Sequence, residues 1–327
     1  MTFMRSRRFT VILLGVMVGI FASVAIRHFR ADAEAKKERG KEEGRQAAWR
    51  TITPRMGSAE EEARKAIETR TQDVRAFFAE RQKRVPSYAA RVFSLRSKWE
   101  LGKSKLPFTD KDAHTRFLKE EFSKLVFSES EIAQVVTGAV ENYVRDVQAI
   151  ENALLVKIRA DLQDTPGGAS ALPELKTDAL FSTHFGKIIG GLSEKTGTDA
   201  KVDVSRMIGS EIAAAIAVRV GLAVATRLGV SGTIVGAGAA AGPETLGLSV
   251  VAGLVIDQIA GWVIGWFYKP EEEIGKKLNE ELARLSVLII DGDEKTRGLK
   301  QELGALAERR NSLRAEALRK MILQPVP

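Results

Sequence analysis

Between positions 208 and 268 the chain carries only five charged side chains, Glu211, Arg219, Arg227, Glu244 and Asp257, in a run dominated by Ala, Gly, Val, Leu and Ile. Apolar and small residues cover nearly every helical face of this stretch. A helix that is hydrophobic all round belongs in a protein core or in a bilayer. Gly242 and Pro243 break the run, with Glu244 at the tip, so it reads as a hairpin of two helices, about 208–241 and 245–268. With the turn centred at Gly242, Arg227 falls opposite Asp257, and a charge in such surroundings needs a partner of this kind. The same register sets Gly261 opposite Ala223, Gly265 opposite Arg219 and Gly253 near Ser231, so small residues line the contact. Trp262, Trp266, Phe267 and Tyr268 precede Lys269, and such aromatic clusters settle at the headgroup level of a membrane. Two placements stand. In lipid, Asp257 costs about 2.5–3.5 kcal/mol, against gains of about 0.3–0.6 for each Leu, Ile or Val. In a soluble bundle the same hairpin is the buried centre.

A second apolar run lies at the front of the chain. Phe9 to Ile26 holds no charge, with Arg5, Arg7 and Arg8 before it and Arg27, His28 and Arg30 after it. Its eighteen residues rise about 27 Å as a helix, just enough for a hydrocarbon core of about 30 Å. The run exceeds the apolar core of a secretory signal and reads as a retained membrane anchor, although Ser23 and Ala25 also fit a cleavage site. Counted literally, seven basic residues after the span against three before it favour a cytoplasmic bulk. Short basic tails before a first helix usually stay in the cytoplasm, which places the bulk of the chain on the non-cytoplasmic side. Gly15 and Gly19 form a GxxxG pair through which two such helices can approach closely.

Charge follows the same asymmetry. The net charge of +8 arises at the front: residues 1–100 hold 22 Lys and Arg against 12 Asp and Glu, and the remainder holds 28 against 30. Residues 31–57 read as a charged helical stalk beside the membrane, ended by Pro54. Ser58 and Glu61 then make a capping box that opens a helical bundle over 58–164. Ala63, Ile67, Val74, Phe77 and Phe78 share one face of its first helix. Tyr88, Val92, Leu95 and Trp99 follow after Pro86, and Phe117, Leu118, Phe122 and Leu125 after a start at Thr109 and Asp112. From about Ser130 to Leu162, Ile132, Val136, Ala139, Tyr143, Val147, Ile150, Leu154 and Ile158 step by three or four, the mark of a long amphipathic helix. That stripe serves as bundle core, with Phe78, Trp99 and Phe122 as internal partners, or as an oligomer seam. Thr165 to Pro173 is a linker, 174–207 a short helical segment, and 208–269 the hairpin. Over 270–327, Pro270 and Glu271 to Glu273 start a helix with Ile274, Leu278, Leu282, Leu285 and Ile289 on one face. A last helix carries Leu299, Leu303, Leu306, Leu313, Ala317 and Met321.

The class that emerges is all-α: an N-terminal transmembrane helix, a bundle of long amphipathic helices and an apolar Gly- and Ala-rich hairpin. The chain has no cysteine, and its three histidines, His28, His114 and His184, lack ligand spacing, so neither a metal site nor a bound cofactor is expected. The glycines at 231–242 imitate a dinucleotide loop, but the spacing after Gly238 is too long and Pro243 interrupts the helix that should follow. Asp291, Asp293 and Glu302 imitate a calcium loop, yet Lys295 and Thr296 take the fifth and sixth positions, which leaves a plain turn. No nucleophile with a base appears, no small-molecule substrate is evident, and basic patches without interleaved aromatics give no nucleic-acid surface. The reading is a membrane-anchored structural or interaction protein without catalysis, whose partners are the lipid bilayer and a protein or second copy held through amphipathic helices. The alternative is a pore-forming protein acting through the hairpin. In composition the hairpin with its flanking charged helices is similar to the channel domains of pore-forming colicins, which implies insertion into lipid.

Overall fold

The computed structural model describes residues 3–104, 113–165, 271–294 and 297–324 and the positions 172, 183 and 256; the side chains of 3–26, 95, 96, 103, 104 and 129 lie outside that description. The regular elements among the described residues are all helices, with one isolated antiparallel bridge between Gly292 and Arg297. In chain order the helices are α1 (Phe3–Gln82), α2 (Val85–Val92), α3 (Leu95–Ser104), α4 (Ala113–Leu125), α5 (Glu129–Asp164), α6 (Glu271–Ile290) and α7 (Leu299–Leu323). Two compact units form: one from Met1–Met56, Leu155–Gly186 and Glu316–Pro327, the other from Gly57–Leu154 and Lys187–Ala315.

The break expected at Pro54 is absent. Helix α1 runs through Pro54, so the charged stalk and the first bundle helix are one element. A proline inside a helix removes one backbone bond and crowds the carbonyl four residues earlier. Around this point Thr51 and Thr53 turn their hydroxyls back onto the carbonyls of Ala47 and Trp49, at 3.0 and 2.8 Å. Such back-bonding accommodates a bent helix rather than ending it.

In the first unit Ala48 and Ile52 of α1, Ile158 and Leu162 of α5, and Leu318, Met321 and Ile322 of α7 are buried. Arg55 grips Asp161 with two hydrogen bonds, tying α1 to α5.

The core of the second unit follows the expected stripes. Ala63, Ile67, Val74 and Phe78 of α1 meet Val85, Tyr88 and Val92 of α2 and Phe117, Leu118 and Phe122 of α4. Edge-to-face contacts join Tyr88, Phe122 and Phe127 at 5.3 and 5.0 Å between centroids, and the Tyr88 hydroxyl donates to the Leu118 carbonyl. The stripe of α5 is buried along its length except at Ile150, which is partly buried. Bundle core thus takes up the surface that was also eligible as an oligomer seam.

Trp99 departs from expectation. It is 65% exposed. The inward position of α3 belongs to Ser97, and two residues along a helix turn about 200°. Burying Ser97 against His114 therefore sends Trp99 outward.

Helix α6 buries Ile274, Leu278, Leu282, Leu285 and Ile289 as its spacing requires. The turn after it is a plain one: Gly292 takes φ 74°, Asp291 is held by the Arg75 guanidinium at 3.0 Å, and the Gln301 amide donates to the Asp291 carbonyl. A Cβ at Gly298 would collide with the backbone of Ile290, Asp291 and Gly292, which explains glycine there.

Candidate functional site

Most residues singled out by the sequence lie outside the described residues: Arg227 and Asp257, Gly242 and Pro243, Gly253, Gly261 and Gly265, and Trp262, Trp266, Phe267 and Tyr268. Gly15 and Gly19 fall in the helical backbone of α1, among residues whose side chains are not described. Ile256 is the only hairpin residue among those described. It is 3% exposed and joins the apolar core of the second unit with Leu278, Leu282 and Val136.

The polar centre that the second unit does bring together was not singled out as a site. Glu151 of α5 is 1% exposed, and Arg310 and Arg314 of α7 are 2% and 3% exposed. Arg310 grips Glu151 with two parallel bonds, Nε to Oε1 at 3.1 Å and Nη2 to Oε2 at 2.7 Å. This fork geometry is what the guanidinium offers a carboxylate. Arg314 approaches the same carboxylate at 3.6 Å and donates to the Asn311 side chain. One carboxylate thus serves two cations. Desolvation lowers the Arg314 pKa, while Glu151 and, through longer-range attraction, Glu60 act against that. Arg314 Nε and the Tyr143 hydroxyl are buried without a hydrogen-bond partner. Burial also pushes the Tyr143 hydroxyl up, so it stays protonated at any physiological pH.

Why α7 folds this way is visible in its register. Leu299, Leu303, Arg310, Arg314, Leu318, Met321 and Ile322 are its buried positions, clustered on one side. Of the expected inward set, Leu299, Leu303 and Met321 are buried, while the face turns in the middle of the helix so that Leu306, Leu313 and Ala317 are only partly buried. The arginines at 310 and 314 lie one turn apart, as residues four apart do on a helix. Glu151 lies between Val147 and Leu154 on the buried side of α5. A carboxylate inside an apolar stripe and an Arg pair four apart were the available signals. Hydrophobic periodicity overlooks them because it scores the leucines alone.

A second buried polar pair joins α3 to α4. Ser97 Oγ lies 3.1 Å from His114 Nε2, both within the core. Burial lowers the His114 pKa, opposed by the nearby Glu100 carboxylate.

On the outside, the exposed part of α1 is of a different character. Residues 27–40 are exposed without exception. Phe29, at 78%, is the most exposed large apolar side chain among the described residues, and it sits between Arg27, His28 and Arg30. No group of carboxylates or histidines that could hold a metal occurs among the described residues, and among the residues whose side chains are described, which leaves out 3–26, no helix is long and apolar enough to cross a membrane. Comparison with family models, curated proteins and solved structures finds no match to this chain.

Proposed function

We propose that the chain is a membrane-anchored, all-helical interaction protein, in which residues 9–26 cross the bilayer and the bundle acts on protein partners without catalysis. One observation carries the reading: α1 continues without interruption from the charge-free run into residues 27–40, exposed on every side. A helix that is polar all round and covered by nothing serves as a spacer between what lies at its two ends. Here those ends are an apolar run of membrane-spanning length and a packed bundle. Ile256 in the apolar core supports a hairpin held within protein, and the two arginines sharing Glu151 support a rigid bundle.

The test is extraction and leakage of the full chain. Expressed in cells, it is expected to stay in the membrane fraction through an alkaline carbonate wash, and a variant with Val16→Arg and Val18→Arg to be released. Reconstituted into vesicles loaded with dye, it is expected to leave them sealed. Release of the unaltered chain by carbonate ends the anchor; dye leakage ends the non-inserting hairpin and transfers the function to pore formation.

A further inference from the structure

We propose that Arg27, His28, Phe29 and Arg30 form a collar that binds the phosphate headgroups of anionic phospholipid where α1 leaves the bilayer. This rests on the anchoring reading and names the lipid class that the anchor selects. The four residues follow the apolar run directly and make up one helical turn. At 100° per residue, Arg27, His28 and Arg30 point in three directions around the axis, with Phe29 in the remaining gap. They rise over only about 4.5 Å, so on a helix that crosses the bilayer they lie at one depth. All four are exposed, and none of the three polar side chains makes an ion pair or hydrogen bond with another described residue. Ten residues further on the pattern is different, with Lys41 paired to Glu38 at 2.6 Å.

The charge pattern is matched to an anion and not merely solvated. The first thirty-one residues contain five arginines and no Asp or Glu; the first acids are Asp32 and Glu34, just past the collar. An exposed Phe ring amid cations has no core to serve, and it fits the headgroup level, where aromatic rings favour the boundary between acyl chains and water. Basic residues near an anionic surface each raise partitioning by about fivefold.

The experiment uses the full chain reconstituted into mixed vesicles of phosphatidylcholine and phosphatidylglycerol, re-extracted in mild detergent, with the retained lipid measured by mass spectrometry. The chain is expected to retain phosphatidylglycerol several-fold above its share in the vesicles. A variant with Arg27→Gln and Arg30→Gln is expected to retain both lipids at their bulk ratio while still resisting carbonate. Bulk-ratio lipid on the unaltered chain, or undiminished enrichment on the variant, overturns the collar and leaves the anchor standing. Carbonate release of the unaltered chain overturns the anchor, and the collar with it.

Discussion

Glu151 is the residue whose surroundings leave least freedom. Removing one member of a buried, hydrogen-bonded ion pair strands the others, and here two guanidiniums depend on the same carboxylate. Glu151→Ala is expected to lower stability by about 3–5 kcal/mol, read from the urea midpoint of the helical signal. A midpoint unchanged from the parent would show that neither arginine relies on that carboxylate. His114 makes a prediction in pH. Its folded pKa lies below the ordinary value of 6.5, because burial disfavours the cation. The unfolded chain therefore binds the proton more readily. The stability contributed by the neutral ring is complete above pH 6.5 and falls as pH drops below that value toward the folded pKa. Thermal unfolding of the parent and of His114→Gln, compared from pH 7.5 down to 5, is expected to show the parent losing more. Parallel curves would remove the titration of this ring from the account.

At the scale of elements, periodicity made most helices legible. The faces of α5 and α6 were fixed by apolar residues three and four apart, and the structure buries them. Two features were not legible. Pro54 looks like a terminus because its local cost is real, yet α1 passes through it, with Thr51 and Thr53 back-bonding in the turns around it. If that cost is borne inside a continuous helix, Pro54→Ala should raise stability by up to about 3 kcal/mol and remove any bend. A lower melting temperature would instead mark Pro54 as a required break. The rotation of α7 was hidden because the leucine pattern admits two nearby faces. Only the presence of Glu151 opposite makes the face with two arginines the inward one. In the turn between α6 and α7, Gly298→Ala is expected to cost about 1–3 kcal/mol, since the atoms in its way are backbone and cannot step aside. Equal stability of that variant, measured by chemical unfolding, would mean the turn is looser than its geometry shows.

For the molecule as a whole, the front-loaded basic charge, the acid-free first thirty-one residues and the apolar run between two basic flanks are what the proposed anchoring to lipid rests on. Those features are compositional, and they required no knowledge of which helix touches which. The all-helical class came from the same source, because stripes at helical spacing occur and alternating ones do not persist. Charge pairing is different. Arg310 and Glu151 stand 159 positions apart, and Arg75 and Asp291 stand 216 apart. No pattern in a linear chain ties such positions together, since a charge on a helix reads as solvated until its counter-charge is placed. The sequence by itself determined the buried faces of α5 and α6, because burial follows from apolar side chains recurring at helical spacing. The tertiary structure alone decided which charges went inside with them, because a buried charge is tolerated only where another part of the fold delivers its partner.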